Sequence, residues 1–280
     1  MDRRADYGGS KGQVANMLPE TLDRVALERT TREHTKILGI SFFHGTAAQA
    51  VERMRGGGLL VVPAAPALKD LERNADYRES LLNADLAITD SAFMVLIWNR
   101  LQRDSITRLS GLEYLRELLI QPDIRHPGNT VWIMASQVSA GLNLTWLTEQ
   151  GIETPLDRVY MAPIYGKEIE DTELLQKLEL LKPQHVIITL GGGTQERLGL
   201  YLKRNLSYLP AIHCIGAAIA FLSGDQIYIP IWADKLYLGW LFRSVSNPQQ
   251  YIPRYWDARK LFTLMTRYRD RLPVAENITK

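Results

Sequence analysis

Cysteine is almost missing from this chain: Cys214 is the sole one among 280 residues, which excludes a disulfide framework and any zinc site built on paired thiolates. Charge of one sign is missing as well. With 33 basic and 31 acidic side chains the formal net charge is +2, so nothing global argues for a nucleic-acid partner. No run reaches the roughly 18 apolar residues of a membrane span, and residues 1–36 lack the apolar core of a signal peptide. A cytoplasmic protein, held at most to a membrane surface, is the expectation. Several chemical signatures are also absent. There is no G-x-S-x-G elbow for serine hydrolysis, and His44, His126, His185 and His213 show no metal spacing such as H-E-x-x-H. His185 and His213 sit inside apolar runs and read as satisfied core residues.

What is present is an alternation. The length suits one large α/β domain, alone or with an appendage. Residues 1–36 carry Gly8, Gly9, Ser10 and many charges, and read as a loose arm with at most one helix around 20–29. From residue 37, short β-like runs at 37–42, 59–62, 86–89, 131–134, 158–161, 185–190 and 211–215 alternate with helical patterns, notably at 46–55, 111–120, 139–150, 172–181 and 195–206. This predicts an α/β core over 37–231, with a Rossmann-like, mostly parallel sheet flanked by helices. Pro122, Pro127 and Gly128 interrupt the pattern, so the sheet is expected in two halves meeting near this loop.

Two segments are placed for chemistry. The run Ala84-Asp85-Leu86-Ala87-Ile88-Thr89-Asp90-Ser91 ends a short strand on a carboxylate just before a helical pattern. That aims Asp90 at the crevice beyond the carboxyl ends of the strands, where open α/β sheets bind ligands. An aspartate there is also a common helix N-cap, and the two roles can coexist. The second segment, Gly191-Gly192-Gly193-Thr194-Gln195-Glu196, passes from strand through three glycines into a helix. Its backbone amides suit phosphate oxygens, as in a nucleoside diphosphate, although such a turn also occurs with no ligand. The third glycine of a dinucleotide fingerprint falls on Glu196 and no P-loop lysine follows, which counts against hydride chemistry and ATP hydrolysis.

Residues 232–280 change character and predict a helical appendage. Trp232, Tyr237, Trp240, Phe242, Tyr251, Tyr255, Trp256 and Phe262 interleave with Lys235, Arg243, Arg254, Arg259, Lys260 and Arg267. Packing against the core, self-association and contact with an anionic lipid surface all fit this composition. The lipid reading further expects that the core stays folded when this tail is removed.

In their order and spacing these segments resemble the WecG/TagA/CpsF family of bacterial glycosyltransferases, over roughly residues 37–255. The family's A-D-x-x-x-x-D-G is matched at 84–91, its R-x-x-G at Arg108-Leu109-Ser110-Gly111, and its G-x-P-K-Q-E in part at 191–196. Gly224, Pro230, Trp232, residues 238–243, Pro248 and Arg254-Tyr255 resemble its closing pattern. The resemblance implies inverting transfer of a sugar from a UDP-sugar to a polyprenyl-diphosphate-linked saccharide at the inner face of the cell membrane, with no metal and no cofactor beyond the donor. It puts the general base at Asp90, phosphate binding at Arg108, nucleotide binding at 191–196, and arginines from the appendage at Arg243 and Arg254. It also makes a homo-oligomer an expectation.

The chain departs from the family pattern at several positions. The polar T-P-N-P segment aligns with Pro63-Ala64-Ala65-Pro66, the glycine after the aspartate is Ser91, and the P-K pair is Gly193-Thr194. A later aspartate is Ala220, and the tail glutamate is Gly239. These losses keep a rival open, a catalytically silent relative that binds a nucleotide sugar or scaffolds a polysaccharide assembly complex. An ordinary nucleotide-binding oxidoreductase is the second rival, already weakened by the missing glycine.

Overall fold

A computed structural model describes residues 33–226, 233 and 239–275. Residues 1–32 of the expected arm, Pro230, and Trp232, Lys235 and Tyr237 of the expected tail lie outside the described residues, as do the side chains of Trp240, Arg243 and Arg254. The end of the expected arm is corrected, since residues 34–36 pair into the sheet as part of its first strand.

Eight strands form one sheet among the described residues: β1 (His34–Ile37), β2 (Ile40–Phe43), β3 (Gly58–Val61), β4 (Leu86–Ile88), β5 (Thr130–Met134), β6 (Val159–Met161), β7 (His185–Ile188) and β8 (Ala211–Cys214). Their order is β1-β2-β4-β3-β8-β7-β5-β6. Only β1 runs antiparallel, against β2, and the other pairings are parallel. The two halves part in sequence at the Pro122–Gly128 region, as expected, but meet in space elsewhere, where β3 pairs with β8. The loops after these strands flank the switch in strand order, the place where such sheets hold ligands.

Residues 37–42, expected as one strand, instead form a hairpin. Leu38 and Gly39 both take positive φ, 52° and 78°, as a two-residue turn between antiparallel strands requires. Leucine is a poor residue for this conformation. Burial of Leu38 and bonds from the Leu38 and Gly39 amides to the Arg269 and Asp270 carbonyls, 2.7 and 2.9 Å, hold it there.

Strand residues alternate between two cores, because successive side chains point to opposite faces. Leu59 and Val61 face one, Leu60 and Val62 the other; Val131 and Ile133 face one, Trp132 and Met134 the other. The second face is covered by α1 (Ala47–Met54), with α5 (Gly111–Leu119), α6 (Pro122–Arg125) and α7 (Gln137–Glu149). The first is covered by α2 (Ala65–Leu68), α3 (Ala75–Leu82), α4 (Ala92–Gln102), α8 (Thr172–Leu181) and α9 (Thr194–Asn205). A short α10 (Ala220–Ser223) follows β8.

Three helices close the chain: α11 (Gly239–Ser246), α12 (Pro248–Ala258) and α13 (Lys260–Tyr268). Ala258, Leu261, Leu264 and Met265 are buried in the same core as Val95 and Trp98 of α4. The last helix thus supplies part of that core, which argues against the expectation that the core stays folded without this tail.

Candidate active site

The carboxyl ends of β3, β4, β5, β7 and β8 open onto one cleft of about 440 Å³. Asp90 lines it two residues beyond β4, with its side chain 29% exposed. The N-cap reading of this aspartate is corrected by its neighbour. Ser91 caps α4, its hydroxyl accepting from the Met94 amide at 3.2 Å. Asp90 Oδ1 instead accepts the Gly111 amide at 2.9 Å, and Oδ2 has no hydrogen bond among the described residues. One oxygen thus fixes the carboxylate while the other remains for a ligand.

Thr89 puts the R-x-x-G segment in place. Its hydroxyl donates to the Thr107 carbonyl at 2.8 Å and accepts from the Leu109 amide at 3.0 Å, which sets Arg108 between them beside Asp90. Arg108 Nε donates to the Asp90 carbonyl at 2.6 Å, and one terminal nitrogen stands 3.7 Å from Oδ1. The guanidinium lines the cleft with Asp90. A Cβ at Gly111 would stand 3.8 Å from Asp90 Oδ1 and 3.6 Å from the Ile215 carbonyl, ordinary contact distances, so it is the Gly111 amide and not the lack of a side chain that serves Asp90.

The glycine turn divides its duties. Gly191 and Gly192 line the cleft; Gly192 and Gly193 line an adjoining pocket with Lys69. Gly193 holds φ at +91° at the start of α9. Glu196 and Thr194, expected among nucleotide contacts, line neither space. Glu196 is fully buried and clamps the turn, Oε2 accepting the Gly193 amide at 2.6 Å and Oε1 the Gln195 side-chain amide at 3.1 Å. Burial pushes its carboxyl up to about 7. Gln195 lines the cleft wall at 2% exposure, and its Oε1 accepts the Gly216 amide at 2.6 Å, tying the turn after β7 to the turn after β8. Both residues position backbone; the amides of Gly191 and Gly192 remain for a ligand. Arg243 and Arg254 fall on α11 and α12, with side chains outside the described residues.

Other lining residues carried no sequence signal. Val62, Ala64 and Ala67 give an apolar wall, while Pro63 and Ala65, which stand where the family pattern has threonine and asparagine, do not line the cleft. Asn143 comes from α7, Asp225 and Gln226 from the segment after α10, and Tyr251 from α12. Lys69 pairs with Asp70 at 2.6 Å and Asp257 of α12 at 2.9 Å, clasping that helix beside the cleft. Among the described residues no three His, Cys, Asp or Glu side chains converge as a metal site, and no helix is long and apolar enough to cross a membrane.

Comparison with known proteins adds two findings. The sequence model of the glycosyl transferase WecG/TagA/CpsF family matches residues 35–274. Among individual proteins, the chain is 22% identical over 229 residues, 79% of this chain and 87% of the other, to an N-acetylglucosaminyldiphosphoundecaprenol N-acetyl-beta-D-mannosaminyltransferase of Staphylococcus aureus (strain MRSA252). A protein of the same name from Bacillus spizizenii (strain ATCC 23059 / NRRL B-14472 / W23) is 21% identical over 207 residues, 71% of this chain and 77% of that protein.

Proposed function

Given that this chain belongs to the WecG/TagA/CpsF family of glycosyltransferases, we propose that it moves a sugar from a UDP-sugar to a saccharide carried on a polyprenyl diphosphate. The acceptor hydroxyl attacks the anomeric carbon in one displacement, so configuration inverts. Asp90 takes the hydroxyl proton as the C–O bond to the acceptor forms, and UDP departs with the electrons of the bond that breaks. The observation that carries this reading is the Asp90 carboxylate: it lines the cleft, one oxygen is anchored by Gly111, and the other has no protein partner among the described residues. Negative charge building on the leaving diphosphate calls for fixed donors. Arg108 and the backbone of the Gly191 turn line the cleft and are assigned this role.

The two relatives are named for transfer of N-acetylmannosamine to N-acetylglucosaminyl-diphosphoundecaprenol, so that pair heads the donor and acceptor screen, followed by other UDP-hexoses and UDP-N-acetyl sugars. We place the enzyme at the inner face of the cell membrane, where exposed Ile252, Trp256 and Phe262 meet lipid. The test is acceptor-dependent UDP release. General-base assistance is typically worth about 10²–10⁴-fold, so Asp90→Asn loses turnover on that scale and still binds UDP. Full turnover in that variant removes Asp90 from the role. A wild-type protein that binds UDP and turns over no donor is instead the silent relative, which the apolar Val62, Ala64 and Ala67 wall would then explain.

A further inference from the structure

We propose that Arg197, near the start of α9, is a positioning residue for the donor diphosphate: its guanidinium fastens the loop between β6 and α8 to the glycine turn and holds the turn's backbone in one arrangement for phosphate oxygens. This rests on the UDP-sugar reading above. Arg197 lines neither the cleft nor the adjoining pocket, so it acts through the turn and not on the donor itself. Its Nε donates to the Gly193 carbonyl at 3.1 Å. One terminal nitrogen donates to the Gly166 and Lys167 carbonyls at 3.2 and 2.5 Å, and the other to the Gly166 carbonyl at 3.2 Å. A single planar fork thus joins the turn after β7 to the loop after β6.

Three successive glycines leave a backbone free to take many conformations, whereas charge developing on a leaving group is stabilised best by groups fixed beforehand. Gly193 is held from both sides: Glu196 accepts its amide from the interior, and Arg197 donates to its carbonyl from outside. The loop at 162–171 gives Arg197 a firm anchor because Asp171, 6% exposed, gathers it at its base. The Asp171 carboxylate accepts from Tyr160 Oη at 2.9 and 3.0 Å, from Tyr165 Oη at 2.5 Å and from the Leu174 amide at 2.9 Å. Its own amide donates to Tyr201 Oη of α9 at 3.2 Å. Burial, together with the Asp171 carboxylate, pushes both the Tyr160 and Tyr165 phenols above their ordinary value, so both stay donors through the neutral range.

Dissociation constants of UDP, inorganic pyrophosphate and uridine are to be measured for the full chain and for its Arg197→Gln, Arg197→Lys and Tyr165→Phe variants. Both Arg197 variants should bind UDP and pyrophosphate roughly 10-fold more weakly and uridine as the wild type does, because uridine carries no phosphate for the turn to hold. Lysine keeps the charge but not the fork, so it should not rescue. Tyr165→Phe loosens the loop from its far side and should weaken UDP and pyrophosphate in the same sense by a smaller factor, which keeps the role testable should an Arg197 variant fail to fold. The role is overturned if these variants bind UDP and pyrophosphate as the wild type does, or if uridine weakens equally, the mark of a general loss of structure. It is also overturned if Arg197→Lys restores full affinity, which would assign the effect to charge alone. Failure of the wild type to bind UDP and pyrophosphate is a separate result that removes the donor reading and this role with it.

Discussion

Glu196 shows how one buried carboxyl ties the glycine turn to pH. Burial raises its pKa to about 7, so the folded protein holds a proton that the unfolded chain releases near 4.3. Stability on its account falls as pH climbs through that window and stays lost above it. Burial acts oppositely on two histidines. His213 is held well below its ordinary value and His185 below it, the nearby Asp123 charge opposing the shift at His185. They belong to a chain in which Tyr114 Oη meets His213 at 2.8 Å, His213 meets His185 at 3.1 Å, and His185 meets Asp123 at 3.1 Å. Their contribution is present above about pH 6.5 and lost as pH falls below it. Glu196→Gln isolates the carboxyl. Its melting temperature should exceed the wild type's at pH 8 by a few degrees, reflecting about 1–3 kcal/mol, and the difference should vanish toward pH 5. An offset independent of pH would mean that Glu196 is not the titrating group.

At the level of elements, α9 and α12 frame the cleft by different means. Gly199 lets α9 settle onto the sheet, since a Cβ there would come within 2.5 Å of Leu59 Cδ1 and 2.8 Å of Cys214 Sγ. That close packing fixes the start of the helix and the turn before it. The α12 helix is clasped by the Lys69 to Asp257 pair and brings Tyr251 to the cleft. Its exposed side carries Ile252 and Trp256, 54% and 67% exposed, with the Arg259 guanidinium 4.1 Å above the Trp256 ring. Apolar side chains beside cations are suited to an anionic lipid surface. Replacing Ile252 and Trp256 together with serine should cut sedimentation with anionic vesicles several-fold while leaving UDP binding in place. Unchanged sedimentation would assign that surface to another partner.

The whole molecule depends on its last helix more than its composition suggests. Leu261 and Met265 are fully buried, and Leu264 nearly so. At about 1.5–3 kcal/mol for each fully buried side chain, their loss rivals the 5–15 kcal/mol of total stability typical of a domain. Removal of the β1–β2 turn's bonds to Arg269 and Asp270 would add to it. A chain stopped after Gln226 should therefore lack a cooperative thermal transition. A truncated protein that melts cooperatively near the full-length temperature would show that α13 is dispensable.

The periodicity of the sequence determined that a mostly parallel sheet lies between helices, because strand and helix patterns bury different spacings of side chains and can be counted locally. It also put Asp90 and the glycine turn just beyond strand ends, since both follow apolar runs directly. What only the tertiary structure decided is how those segments divide their work. Ser91 rather than Asp90 caps α4, Glu196 faces inward as a clamp, and Asp225, far in sequence from Asp90 and from the glycine turn, reaches the same cleft. The Leu38-Gly39 turn and the burial of α13 were hidden for the same reason. Each is held by atoms far away along the chain, and contacts at long sequence separation leave no local periodic trace.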